Sequence, residues 1–222
     1  MIRWFKKKEE PEYPEFWKSY AAKFSDKPVQ QLEDIRFVVL DTETTGFDFR
    51  KDRMLCIGAI GLKNNVIDVA DSFEIYIKQE RFNPETVAIH GIIRNEKVTM
   101  QTEADALTKF LEYIEDAVIV AHHAGFDLGM INHGLKRMHL PNLKNSVLDT
   151  MPLYRSTLIN SNFVDKTRGY SLDEVAEKLV ISTKDRHTAA GDAMITAIAF
   201  LKILSKLKKS GATTLKDLLK IR

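Results

Sequence analysis

Apolar positions along this chain fall first on one helical face and then into short runs cut by turns, and that change organises it. Phe16, Tyr20 and Phe24 recur at i, i+4 and i+8, which predicts a short helix over 15–24 with one apolar stripe, broken off upstream by Pro11 and Pro14. From residue 35 the pattern changes to strand-like runs with turn punctuation. Phe37-Val38-Val39-Leu40 runs into the turn Asp41-Thr42-Glu43-Thr44-Thr45-Gly46, and strand-like runs follow at 54–62 and 73–77, joined by Lys63-Asn64-Asn65. Such short spacing predicts an antiparallel three-stranded start. Thr102 with Asp105 marks a helix start, Ala106, Leu107, Phe110, Leu111 and Ile114 share one helical face, and 117–121 reads as a buried strand. A helix over 128–138 follows, then the short strand Val147-Leu148. Ser171 and Glu174 form a capping box for a helix with Leu172, Val175, Ala176 and Leu179 on one face, and a last long helix covers 189–206. Strands first, then alternating helix and strand, predict an α/β domain with a mixed central sheet of about five strands flanked by helices.

Composition narrows the class. With 222 residues, 44% hydrophobic and 29% charged, the chain suits one globular domain and excludes a disordered, collagen-like or disulfide-stapled protein. Cys56 is the only cysteine, so neither an internal disulfide nor a thiolate zinc site can form within one chain. No apolar run approaches the roughly 20 residues of a membrane span, and the start of the chain carries charge without an apolar secretion segment. The expectation is a protein without membrane association, in a reducing, cytoplasmic setting.

The net charge of +2 hides an uneven distribution. Residues 1–40 hold 8 basic against 7 acidic side chains, residues 41–201 hold 18 against 23, and residues 202–222 hold 7 against 1. Aromatic residues are uneven too: 7 of 20, including both tryptophans, fall in the first 24 positions. The expected organisation is therefore an aromatic and charged N-terminal extension over 1–34, a main domain over 35–207 and a basic C-terminal tail over 208–222. The expected role of the first helix is to dock on its own domain, with partner binding or nucleic-acid stacking as the alternatives. Leu215, Leu218 and Leu219 predict a short docking helix capped near Thr213 or Thr214.

Four carboxylates stand at element ends beside small residues. Asp41 and Glu43 close the first strand and share a face, about 6–7 Å apart along the chain. Two anions so placed repel unless a proton or cation resolves them. Asp127 begins a helix after His122-His123-Ala124-Gly125-Phe126, and Asp192 lies five residues after His187 among Ala189, Ala190 and Gly191. An all-oxygen ligand set favours Mg²⁺ or Mn²⁺ over Zn²⁺. Two such ions about 3.5–4 Å apart form a clamp for phosphodiester cleavage. An imidazole titrates near neutral pH, which suits His187 to take the proton of an attacking water.

Asp41-Thr42-Glu43-Thr44-Thr45-Gly46, His122-x-Ala124-x-Phe126-Asp127 and Arg186-His187-x-Ala189-x-x-Asp192-Ala193 resemble, in order and spacing, the three motifs of the DEDDh exonuclease family. That family includes DnaQ-like proteins such as the epsilon subunit of DNA polymerase III and has a ribonuclease H-like fold. The resemblance covers roughly residues 36–206. It implies a 3′→5′ exonuclease that releases nucleoside monophosphates from DNA 3′ ends by a two-metal hydrolytic mechanism, in proofreading or repair. It implies Asp41, Glu43, Asp127 and Asp192 as ligands of two Mg²⁺ or Mn²⁺ ions, and His187 as general base. Thr44, Thr45 and Gly46 match the turn against the terminal nucleotide, Phe126 a position that is structural or stacks near substrate, and His90, within Ile89-His90-Gly91-Ile92, a segment lining the groove.

The substrate implied is single-stranded or frayed DNA, with RNA as the alternative because the metal site does not read the sugar. A DNA polymerase subunit is the implied partner, and a polymerase-associated subunit docking through residues 1–30 is the reading from another class. His123 stands where many proofreading members have Asn. Asp149, in Leu148-Asp149-Thr150, is expected to be structural, and His122 either supports a ligand or packs.

Overall fold

The computed structural model describes residues 12–26, 29, 31–79, 99–158 and 168–221. Strand β1 (Phe37–Thr44) is its spine, because its alternation sorts side chains into two cores. Val38 and Leu40 enter one apolar cluster, while Phe37 and Val39 enter the other, on the opposite face of the sheet. β2 (Met54–Lys63) and β3 (Val66–Ile77) extend the sheet antiparallel on one side, as expected. β5 (Val118–Ala121) and β6 (Val147–Asp149) extend it in parallel on the other. A two-residue strand, β4 (Met100–Gln101), pairs with the end of β3, so the order is β4-β3-β2-β1-β5-β6. Among the described residues the mixed sheet thus has a sixth, very short strand beyond the five expected.

Helices cover both faces. On the Val38 side lie α1 (Glu15–Ala22), α2 (Glu103–Ile114) and α3 (Gly125–Arg137). On the Phe37 side lie α4 (Thr150–Ser156), α5 (Leu172–Leu179), α6 (Ala189–Lys209) and α7 (Leu215–Leu219). The capping predictions hold: Thr102 accepts from Asp105 N, Ser171 and Glu174 form the box, and Thr214 with Asp217 forms another. α3 starts at Gly125, three residues before the expected 128, which puts Asp127 inside its first turn.

The described part of the aromatic N-terminal segment, residues 12–26, packs inward. Trp17 and Tyr20 are buried against the α2–α3 side, and the Tyr20 hydroxyl donates to Asn145 Oδ1 at 2.6 Å while accepting from Lys144 N at 2.8 Å. Asn145 Nδ2 in turn donates to the carbonyls of Glu115 and Ala117, so α1 is tied to the start of β5. No helix among the described residues is long and apolar enough to cross a membrane.

Candidate active site

Three parallel strands, β1, β5 and β6, end on the same side of the sheet, and open sheets bind ligands in the crevice beyond such ends. Parity then distributes the side chains of β1. Asp41 and Glu43 continue the Phe37–Val39 series and face the side on which α6 packs. Thr42 continues the Val38–Leu40 series and faces α3. α6 supplies Asp192 and α3 supplies Asp127, so the two helices bring carboxylates to the strand end from opposite faces.

The approach of α6 requires Gly58. It pairs with Asp41 on β2, and a Cβ there would lie 2.3 Å from the carbonyl carbon of Ala189. Only a residue without a side chain lets the first turn of α6 sit on the sheet. Gly58→Ala is accordingly expected to push α6 outward and to cost about 1–3 kcal/mol of stability. Urea unfolding checks the cost, and loss of divalent-cation binding in the folded variant checks the displacement of Asp192.

A cleft of about 490 Å³ opens at this strand end. Asp41, Glu43, Asp127, Asp192, His187, Thr44, Gly46 and Phe126 all line it, together with Phe47, His123 and Arg186. Asp41, Glu43 and Asp192 each place one carboxylate oxygen within 4.8 Å of the others. Asp127 lines the same cleft outside that triad: its buried Oδ1 accepts from Thr42 N at 2.9 Å and from Thr42 Oγ1 at 2.7 Å. Asp192 stands in the first turn of α6, where the helix dipole favours an acid, so its surroundings are less hostile than a mid-helix position would be.

Electrostatics single out the cluster. Burial pushes the Asp41 carboxyl well above the carboxylate range, and the charges of Asp127, Asp192 and Glu43 add to it while Arg186 opposes it. Burial and Asp192 raise Glu43 to about 7. Asp127 is raised by burial, against the lowering effect of its two bonds from Thr42. Asp192 Oδ1 is buried without a hydrogen-bond partner among the described residues, while Oδ2 accepts from Arg186 Nη1. An unpartnered buried carboxylate oxygen beside two more acids fits a hard divalent cation, which would satisfy the oxygen and offset the repulsion.

The rim is built from turns. His123 and His187 are both exposed and both hold positive φ, 56° and 65°, at the residues that lead into α3 and α6. Such a conformation is costly for histidine and persists where surrounding structure enforces it. For His123 the enforcement is visible: the Asp149 carboxylate accepts from the backbone N–H groups of His123 at 3.0 Å, Ala124 at 3.1 Å and Met151 at 2.9 Å. Asp149 is thus a structural brace, as expected. His122 is another. Its Nε2–H donates to the Tyr170 carbonyl and its Nδ1 accepts from the Thr150 hydroxyl, both at 2.8 Å. Burial lowers its pKa to about 4, which keeps it neutral.

The turn after β1 is held by Asp52. Thr45 is buried and its hydroxyl donates to Asp52 Oδ1 at 2.9 Å, while a Cβ on Gly46 would meet Asp52 Oδ2 at 2.5 Å. Thr44 Oγ1 donates to the Gly46 carbonyl at 2.9 Å. Phe126 lies 5.5 Å from the ring of Phe47, which is 80% exposed beside the cleft, and 5.8 Å from that of Phe49. His90, expected to line the substrate groove, lies outside the described residues. Thr42, Gly58 and Asp173, which accepts from Arg186 Nε at 2.6 Å, carry no signal of their own in the sequence, because each acts through a contact that only the fold creates.

Comparison with known proteins places this geometry. The chain is 34% identical over 190 residues to the PolC-type DNA polymerase III of Thermotoga maritima, a match covering 85% of this chain and 13% of that protein. It is 36% identical over 190 residues to a DNA polymerase III subunit epsilon-like protein of Rhodobacter capsulatus, covering 82% and 26% respectively. The chain therefore spans about an eighth of the PolC-type relatives and a quarter of the epsilon-like one. Among solved structures, E. coli exonuclease I in complex with a dT13 oligonucleotide superposes with a TM-score of 0.67 at 18% identity, over 80% of this chain and 42% of that one. Exonuclease X in complex with 5′-overhanging duplex DNA gives 0.61 at 20%, over 84% and 98%. These likenesses identify the fold as the ribonuclease H-like one. The exonuclease family model RNase_T matches residues 38–200, from the second residue of β1 to the middle of α6, and the chain belongs to that exonuclease family, with the DnaQ-like motifs at its cleft.

Proposed function

We propose that the protein is a divalent-metal-dependent 3′→5′ exonuclease that hydrolyses the terminal phosphodiester of DNA and releases nucleoside monophosphates. The observation that carries this reading is the convergence of Asp41, Glu43 and Asp192 within 4.8 Å, with Asp127 in the same cleft and Asp192 Oδ1 buried and unpartnered. Asp41, Glu43, Asp127 and Asp192 would hold two Mg²⁺ or Mn²⁺ ions. Bound there, the cations supply Lewis-acid stabilisation of the charge on the phosphoryl oxygens and lower the pKa of water.

The chain's own groups do the rest. Thr42 pins Asp127 to β1, and Gly58 lets α6 deliver Asp192 to the same point. His187, exposed on the rim, takes the proton from the attacking water and hands it to solvent. Phe47 and Phe126 offer aromatic surface at the cleft wall, where a terminal base can stack at about 1–3 kcal/mol per base. The Thr44–Gly46 turn, locked by Asp52, bounds the space left for the terminal nucleotide.

The association we propose is with a DNA polymerase, supported by the relatives, which are named as polymerase III chains. DNA is the proposed substrate, supported by the oligonucleotide complexes of the structural neighbours. Incubating matched DNA and RNA oligomers with the protein and Mg²⁺, Mn²⁺ or EDTA tests this. DNA degradation with either metal and none with EDTA is expected. Faster degradation of RNA would reassign the substrate, and activity undiminished in EDTA would remove the metal from the account.

A further inference from the structure

Arg186 is the one Lys or Arg side chain among the described residues that line the cleft, and its guanidinium is shared between two carboxylates. Nε donates to Asp173 Oδ1 at 2.6 Å and Nη2 to Asp173 Oδ2 at 3.0 Å, while Nη1 donates to Asp192 Oδ2. A planar fork can serve two acids at fixed angles in this way, and an ammonium cannot.

Asp173 is a firm mount although it is exposed and outside the cleft lining. It stands in the first turn of α5, a helix whose start is set by the Ser171–Glu174 box and whose other face buries Leu172, Val175, Ala176 and Leu179. Two consequences follow for Asp192. With Oδ2 engaged by a clamped guanidinium, the carboxylate cannot rotate freely, and Oδ1 is left as the unpartnered atom. The Asp173 charge also offsets that of Arg186, which would otherwise repel a cation at the triad. Anchoring and charge offset act in the same direction, so the sign of their loss is unambiguous.

We propose that Asp173 is a positioning residue for cation binding, acting from α5 through Arg186 on the Asp192 carboxylate. This rests on the proposed role of Asp192 as a cation ligand, and the test separates the two. Free Mn²⁺ is measured by electron paramagnetic resonance during titration of the full chain, without nucleic acid, for the wild type, Asp173→Asn, Arg186→Lys and Glu177→Gln. Glu177 is exposed on the same helix and has no ion pair among the described residues, so its variant reports the effect of a lost charge alone. Far-ultraviolet circular dichroism and metal-free thermal unfolding confirm that each variant is folded.

Partners that orient metal ligands are typically worth about 10–100-fold in affinity. Asp173→Asn is therefore expected to weaken Mn²⁺ binding about tenfold or more, Arg186→Lys to weaken it likewise, and Glu177→Gln to stay within about twofold of wild type. Asp173→Asn binding no more weakly than Glu177→Gln would overturn the positioning role while leaving the metal site standing. Absence of saturable Mn²⁺ binding by the wild type would overturn the metal site and this inference with it.

Discussion

Replacing Asp41 with asparagine is expected to lower nuclease activity by about three orders of magnitude and, without metal at pH 8, to make the protein more stable. The first effect follows from removing a proposed ligand on which several kcal/mol of transition-state stabilisation depend. The second follows from the charges. Asp41 has Glu43, Asp127 and Asp192 as neighbours, and burial and their repulsion hold its carboxyl well above the usual range. Glu43, raised from 4.5 to about 7, shares the burden.

A carboxyl that binds its proton more tightly folded than unfolded costs stability as pH rises through that interval. For Glu43 the interval is 4.5 to about 7, and it begins for Asp41 at its ordinary value of 3.8. Asp41→Asn relieves that cost, so its gain should reach about 1–2 kcal/mol above pH 7 and vanish near pH 4. Saturating Mn²⁺ should erase the gain, because the cation relieves the wild type instead. Urea unfolding at pH 4, 6 and 8, with and without Mn²⁺, measures all of this. A variant less stable than wild type at pH 8 in EDTA would show that the acids are not in mutual repulsion.

His187→Asn carries the second large effect. Asparagine tolerates the positive φ that His187 holds, so the turn into α6 should be preserved while the imidazole is lost. Activity is expected to fall about 10²–10⁴-fold, the range for a positioned general base. Mn²⁺ affinity should be unchanged, since His187 is not counted among the ligands. Single-turnover rates beside a Mn²⁺ titration distinguish the roles. Activity within tenfold of wild type would move the proton-accepting role elsewhere, and His123, also exposed on the rim, would be next to test by the same substitution.

Much of this was legible in the chain itself, and what was not has physical reasons. β1, β2 and the end of β3 follow from short apolar runs and the turn residues between them. The first half of β3, Val66 to Ser72, is not legible because it is mostly exposed and its apolar residues Val66, Ile67, Val69 and Ala70 do not alternate with the polar ones to mark an inward face. β4 has two residues and no period to read. α4 was hidden by Pro152, which signals a break in sequence but sits in the first turn, where the missing N–H costs nothing. The site residues Asp41, Glu43, Asp127, Asp192 and His187 were nominated from three separated motifs, and the fold brings them to one cleft. What the motifs could not supply was the support: Thr42 on Asp127, Gly58 beneath α6 and Asp173 behind Arg186. Each is a contact between elements distant in sequence, and an isolated Thr, Gly or Asp has many commoner uses.

The central claim is a metal-dependent exonuclease working from the 3′ end, and a labelled strand tests it most directly. Single-stranded DNA carrying a 5′ label in one sample and a 3′ label in another is incubated with the protein and Mn²⁺, and the products are resolved by length. A 3′→5′ exonuclease gives a 5′-labelled ladder that shortens one nucleotide at a time, with the 3′ label released at once as a nucleoside monophosphate and neither change in EDTA. Immediate release of the 5′ label, or internal fragments in place of mononucleotides, would contradict it.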